Sequence, residues 1–340
     1  MSEEAKKTKS GKRYQKKKSK AGKIIRITLL VILILIIILL GIATGLVSGK
    51  LSKINFDDIN KDDLGLNDDL YKEVSNNVSK EEFSKIKNVA LFGIDDGRSD
   101  AIMIASINSV EKTIKLISIP RDTYVSVSGH GKTKINHAYA YGKEQLALKT
   151  LNSNFGLNVS EYVTINFKGL INVINKIGGI ELTISKAEKD YINQYVHESY
   201  ELTGKKTQLL SNYGTVKLTG EQALTHSRNR TVGNDFTREE RQRDVLTAVM
   251  NKVSTMSMTQ LWNLSDSVLS EVKTNLNITE CMGIASDVLG SSNKYLNNIT
   301  SKQIPSDEDG AKGSTIDGIY YYVCDLQKAG EKMKNAIYGE

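Results

Sequence analysis

Three apolar runs, Val89–Ile94, Ala101–Ile107 and Ile114–Ile119, follow one another, separated by short polar segments. Each has the length of a buried strand. At their ends sit Asp95, Asp96, Arg98, Asp100, Arg121 and Asp122. Three strands that bring carboxylates and guanidiniums to one rim predict the floor of a site for a metal and a phosphate.

Downstream the period changes. Thr123–Val127 continues extended, Gly129 to Lys132 forms a loop, and a helical stretch starting at Lys134 or Asn136 ends at Gly156. Tyr162–Phe167 reads as a strand. Gly169–Ile177 reads as a short apolar helix that Gly178-Gly179 stops before a strand over Ile180–Ile184. Residues 186–214, with tyrosines at 191, 195, 200 and 213, predict an irregular segment. Thr219 and Gln222 have the spacing of a capping box opening a helix through Thr225, and Asp235 is an N-cap for a long helix to about Val253. Met256–Leu269, Thr279–Leu289 and Asp325–Ile337 predict further helices, with strands near Ile299–Ile304 and Ile319–Val323. Strands and helices alternate, the pattern of an α/β sandwich built on one sheet. Only Pro120 and Pro305 occur, so no Pro-rich linker marks a second domain.

The N-terminus departs from this pattern. Ile27–Val47 is 21 residues without a charge, enough at about 1.5 Å per residue to cross the roughly 30 Å hydrocarbon core. The run is longer than the apolar region of a cleaved signal peptide and no Ala-x-Ala site follows, which predicts a retained anchor. Residues 1–26 hold eleven Lys and Arg against Glu3 and Glu4, so the net charge of +7 belongs to this tail and the rest of the chain carries −2. The positive-inside rule then places residues 1–26 in the cytoplasm and 48–340 outside the membrane. The basic run reads as a topology signal touching anionic lipid, and no nucleic-acid partner is expected. Residues 48–87, rich in Asn, Asp, Ser and Lys, predict an extracellular stalk, leaving 88–340 as the catalytic domain. Cys281 and Cys324 either pair in an exported domain or remain two separate buried thiols.

A second charged cluster spans residues 226–244. Arg228 and Arg230 flank the end of the capped helix, and on the next helix Arg238, Arg241 and Gln242 share one face at i, i+3 and i+4. A helix starting at Asp235 aims its free N–H groups and positive dipole end at whatever lies there. Arginines converging on such a point suit a pyrophosphate, because guanidinium binds phosphate oxygens bidentately and keeps its charge. Asp95 and Asp100 are hard oxygen ligands of the kind Mg²⁺ uses, although Asp95-Asp96-Gly97 is also turn chemistry. Lys134 is a candidate for a further phosphate ligand, though taken alone it reads as a surface lysine. His137 and His226 read as structural or hydrogen-bonding residues rather than a catalytic pair.

The segments NVALFGIDDGRSD, ISIPRDTYV, KTKINHAYAYG, INFKGLINVINKIGGIEL and LTGEQALTHSRNR, then DFTREERQR, occur in this order over about residues 88–254. With the N-terminal anchor they resemble the LytR–CpsA–Psr family of Gram-positive cell-envelope phosphotransferases. The resemblance implies an αβα sandwich around a central mixed sheet, with a hydrophobic groove for a polyprenyl chain. It implies transfer of an anionic glycopolymer, teichoic acid or capsular polysaccharide, from an undecaprenyl pyrophosphate carrier to peptidoglycan. The family's aspartates associated with Mg²⁺ (or Mn²⁺) fall on Asp95 and Asp100. Its pyrophosphate-binding residues fall on Arg98, Arg121, Lys134, Arg228, Arg230 and Arg238, with Gln242 also in the site. Arg121, Asp95 and Asp235 are the residues expected to act in catalysis, the two aspartates as candidates to take the acceptor's proton. Only four residues separate Asp95 from Asp100, where many members have a longer loop, so Asp95 and Asp96 both stay open as the metal ligand. The alternatives are a polyprenyl-pyrophosphate hydrolase on the same site and a non-catalytic envelope regulator or transcriptional attenuator. The attenuator needs DNA binding by a tail without a recognition fold, or by an arginine helix outside the membrane.

Overall fold

The computed structural model describes residues 55–95, 97–229 and 294–339, and between the last two 241, 244–245, 248–249, 252, 256, 260, 271–277, 279–281, 283–284, 287 and 291. The three apolar runs become β2 (Ile86–Asp95), β3 (Arg98–Asn108) and β4 (Thr113–Ser118), preceded by the short β1 (Asn55–Phe56). A hairpin of β5 (Tyr124–Val127) and β6 (Gly131–Lys134) follows, then β7 (Glu161–Asn166), β8 (Ile180–Ile184), β9 (Gly214–Leu218), β10 (Val272–Thr274) and β11 (Ile299–Gln303). A last hairpin joins β12 (Lys312–Ile316) to β13 (Ile319–Val323). Among the described residues the covering layers include α1 (Ile135–Phe155), α2 (Phe167–Lys176), α3 (Lys186–Tyr195), α4 (Gly220–Arg228) and α5 (Leu326–Tyr338).

The central sheet is mixed, in the order β1-β10-β7-β2-β3-β4-β11. Strand β2 runs parallel to β7 and antiparallel to β3, and β4 is antiparallel to β3 and parallel to β11. Alternate residues of each apolar run point to opposite covers. Val89, Leu91, Ala105, Ile107, Ile114 and Leu116 pack with α2, α3 and α4, whereas Ala90, Phe92, Ile102, Ile104 and Ile117 pack with α1 and α5. Because both faces are covered, polar alternation disappears and each strand reads as a continuous apolar run. The result is a three-layer αβα sandwich with one core on each side of the sheet.

Local signals account for several boundaries. Helix α4 opens on the reciprocal capping box of Thr219 and Gln222, and α1 ends at Gly156 in the left-handed conformation. Asp325 caps α5 through the N–H of Lys328.

Other expectations fail. The segment 186–214 is not irregular throughout: α3 opens on a second capping box, Ser185 with Glu188, a signal present in the sequence. The stalk over 48–87 is, from residue 55, part of the domain. Leu64, Leu70, Val74 and Val78 are buried in the core beneath α1 and α5, Asn152 Nδ2 donates to the Leu64 carbonyl at 2.9 Å, and β1 pairs with β10. A polar composition hid these residues because only four aliphatic side chains needed to be buried. Cys281 and Cys324 are free thiols in contact with opposite cores. The tail 1–26, the run 27–47 and Asp235 lie outside the described residues. The helix over 256–269 lies almost entirely outside them too.

Candidate active site

The rim forms where β2 ends, β3 begins and β4 ends. Across β2 and β3 the pairing passes from Gly93↔Ala101 to Ile94↔Ser99, which leaves Asp100 as the extra residue of a β-bulge. A bulge takes a side chain out of the alternation of its strand and re-aims it. Beyond it Asp95 pairs with Arg98, leaving only Asp96 and Gly97 to connect the strands, with Gly97 at φ +72°. Asp-Gly suits so tight a hairpin. The short interval between the two aspartates is thus a turn followed by a bulge. Arg98 and Asp100 belong to β3 rather than to a loop at its end.

After β4, Thr123 donates to the Pro120 carbonyl through both its N–H and its hydroxyl, at 3.0 and 2.6 Å. This turn fixes Arg121 and Asp122. Arg121 Nη1 donates to Asp100 Oδ2 at 2.6 Å, and its Nε lies 3.6 Å from Asp122 Oδ2. Lys134, at the junction of β6 and α1, places Nζ 2.7 Å from Asp122 Oδ1. The four side chains form an alternating chain of charge, each between 20 and 24% exposed. Pairs this open contribute little to stability. What they do is hold the cations in place while donors of Arg121 remain for an oxygen ligand.

Arg98 is exposed. It opens β3 two residues before Asp100. Burial first, then the charges of Arg98 and Lys134, lower the His137 pKa against the opposing pull of Asp122. His137 Nδ1 shares a 2.8 Å hydrogen bond with Thr133 Oγ1, the hydrogen-bonding role its sequence context suggests. Arg228 is the last residue of α4, half-buried in the layer over the opposite face of the sheet. Arg230, Asp235, Arg238 and Gln242 lie outside the described residues, as does the side chain of Asp95.

One residue escaped the sequence reading. Asn136 is 3% exposed, donates its backbone N–H to the Arg121 carbonyl at 3.2 Å, and holds Nδ2 3.5 Å from Asp100 Oδ1. Its own Oδ1 is buried with no hydrogen-bond partner. Its position two residues after Lys134, at the start of a helix, was the only available signal.

Arg241 goes the other way. The spacing with Arg238 and Gln242 suggests an anion-facing surface, yet Arg241 is 6% exposed and turned into the domain. Its Nε donates to Glu188 Oε1 at 2.6 Å and its Nη1 to the Asn229 carbonyl at 3.1 Å. Burial opposes ionisation of Glu188, but hydrogen bonds from Ser185 and Arg241 outweigh it and lower its pKa. His226 beside them is pushed down to about 4, chiefly by burial. Because Arg241 points inward, Glu188 on α3 is within its reach as a partner.

The family model LytR_cpsA_psr matches residues 58–337, which span this sandwich and its charged rim; the chain belongs to this family. Over 274 residues it is 31% identical to the polyisoprenyl-teichoic acid–peptidoglycan teichoic acid transferase TagU of Enterococcus faecalis, a match covering 76% of this chain and 81% of that protein. It also resembles a solved structure described as TagT bound to LIIa-WTA, with TM-score 0.54 and 30% identity over 75% of this chain and 92% of that one. A second, described as the family protein YwtF (TagT) with bound octaprenyl pyrophosphate lipid, gives TM-score 0.50 at 28% identity, covering 74% of this chain and 90% of that one.

Proposed function

We propose that this protein transfers an anionic glycopolymer from a polyprenyl pyrophosphate carrier to peptidoglycan, at the rim built by Asp100, Arg121, Asp122 and Lys134. The observation that carries the reading is the Arg121–Asp100 pair, a guanidinium fixed on a re-aimed strand residue and still open to a ligand. The named activity of the 31% identical relative supports the reaction class. The Ile27–Val47 run acts as a retained anchor, with the tail 1–26 inside the cell and the domain outside, where a lipid-borne pyrophosphate reaches it. The undecaprenyl carrier of Gram-positive envelopes fits that placement.

In this mechanism Arg98, Arg121 and Lys134 clamp the pyrophosphate, with Arg228, Arg230, Arg238 and Gln242 completing the anion site. The acceptor's sugar hydroxyl attacks the phosphorus that carries the polymer. A new phosphodiester forms, the bond between the two phosphates breaks, and polyprenyl monophosphate leaves with the electron pair. Arg121, already oriented by Asp100, stabilises the charge that builds on the phosphoryl oxygens. Asp95 or Asp235 takes the hydroxyl proton.

The residues also fit a divalent cation. A carboxylate has about four acceptor positions, and among the described residues only Arg121 and Asn136 aim donors at the two oxygens of Asp100. The unpartnered Asn136 Oδ1 is a neighbouring hard oxygen. Asp100, with Asp95, would hold Mg²⁺ or Mn²⁺. Such an ion, when bound, would neutralise charge on the pyrophosphate.

The test is transfer by the full-length chain from a polyprenyl-pyrophosphate-linked polymer to peptidoglycan. Arg121→Ala and Asp100→Ala should abolish product while the variants stay folded. Full activity of both would overturn the site. Release of free polymer phosphate without peptidoglycan product would assign the hydrolase instead.

A further inference from the structure

Beside the charged rim lies a cluster of rings that the transfer chemistry does not use. His130, at the turn between β5 and β6, stacks on Tyr141 with ring centroids 4.1 Å apart and planes inclined by 14°. His137 meets Tyr141 edge-on at 5.9 Å. Tyr141 is 49% exposed and His130 is exposed, so the stacked pair stands at the surface, open to solvent. His137 joins it to the site, since it lies on α1 one turn after Lys134 and meets Tyr141 on the same helix.

The backbone is bent to build this surface. Helix α1 breaks immediately after Tyr141: Gly142 sits at φ −147° and Lys143, not a glycine, at φ +52°. A β-carbon at Gly142 would lie 2.5 Å from that of Leu146. A left-handed lysine is strained and persists only where its surroundings hold it. Buried Glu144 does so, accepting from the Tyr139 hydroxyl at 2.8 Å and from Lys273 Nζ at 3.2 Å. At the other ring, Gly129 and Gly131 adopt φ +76° and +71° on either side of His130. Two unusual backbone segments thus converge on one exposed ring pair.

The chemistry of the surface selects its occupant. A polyprenyl chain needs an enclosed apolar groove, and these rings are open and bordered by Lys132 and Thr133. A phosphate needs cations, and the stack itself offers faces of aromatic rings. A pyranose matches both features: its C–H face lies on an aromatic ring while its hydroxyls reach the polar border. The donor polymer is polyanionic and drawn to the arginines, whereas the acceptor strand is built of N-acetylated sugars.

We propose that the Tyr141–His130 pair is the docking subsite for a sugar ring of the acceptor glycan strand, holding it against the charged rim. This rests on the transfer reading above. The test uses the full-length chain, soluble uncross-linked glycan strands as acceptor and a polyprenyl-pyrophosphate-linked donor. Tyr141→Ala and His130→Ala should each raise the acceptor KM about tenfold, leaving the donor KM and thermal midpoint unchanged. Tyr141→Trp, which keeps a stacking face, should restore the acceptor KM. Saturation-transfer NMR without donor should show the strand's ring protons receiving magnetisation from wild type and not from Tyr141→Ala. An unchanged acceptor KM in both alanine variants overturns the proposal, and so does a rise confined to the donor KM. Glycan binding lost in Tyr141→Ala, in a wild-type protein that transfers nothing, would retain this subsite and remove the transfer reading.

Discussion

Arg121 and Arg241 each hold a carboxylate at 2.6 Å, Asp100 in one case and Glu188 in the other. They differ in what surrounds them. Arg121 and Asp100 remain 20 and 24% exposed, while Arg241 and Glu188 are at 7 and 16%. Around Arg241 a backbone carbonyl takes another donor and His226 lies close by, so the pair serves to satisfy buried charge. Around Arg121 lie Asp122, itself held by Lys134, and a buried amide oxygen without a partner among the described residues, so the pair fixes a guanidinium that stays partly exposed. An arginine–carboxylate contact is therefore not by itself a sign of function or of stability. Burial and unused hydrogen-bonding capacity decide which it is.

The contrast can be broken experimentally. Arg121→Ala should cut transfer by about 100- to 1,000-fold, the usual cost of removing one donor from a developing anion, with a thermal midpoint close to wild type. Arg241→Ala removes the guanidinium from the half-buried Glu188 and leaves it to its Ser185 hydrogen bonds, which costs about 3 kcal/mol. Its denaturant midpoint should fall, while transfer per folded molecule is retained. A folded Arg241→Ala chain as inactive as Arg121→Ala would erase the distinction.

Acid separates the two regions next. The His226 pKa is about 4 when folded against 6.5 when free, so between those values the unfolded chain binds a proton that the folded chain does not. Stability is complete above pH 6.5 and falls as the pH drops towards 4, by up to about 3 kcal/mol. Glu188, also lowered, adds loss in the same direction. Urea denaturation across this range should show the slope, and His226→Gln should flatten it. The smallest effect is expected at the rim: Asn136→Ala should lower kcat about tenfold, the worth of one hydrogen bond to a charged group. An equal loss of stability without loss of kcat would make Asn136 a packing residue.

Much of the fold was legible because local rules and burial agreed. The runs at 89–94, 101–107 and 114–119 could only be strands covered on both faces, and Gly156, Thr219 and Asp325 mark helix ends by chemistry that acts within a few residues. Helix α3 was equally announced by Ser185 and Glu188 and was obscured by its polar, tyrosine-rich setting. The segment from residue 55 was misjudged because four buried aliphatics do not change a composition dominated by Asn, Asp and Lys. In the site, Asp100, Arg121 and Lys134 were recognisable as residue types. The bulge that aims Asp100, and the burial of Asn136 between Asp100 and Arg121, were not.

The sequence by itself determined the strand-rich opening, the charged residues at its rim, the helix caps and the apolar run at 27–47, because each depends on neighbours a few positions apart. Tertiary structure alone decided that Arg241 is structural, that Cys281 and Cys324 contact opposite cores, and that His130 lies on Tyr141 beside the arginines. Those outcomes depend on which face of the sheet a residue reaches and how much water it keeps. Both are properties of segments far apart in the chain meeting in space, and no local pattern encodes them.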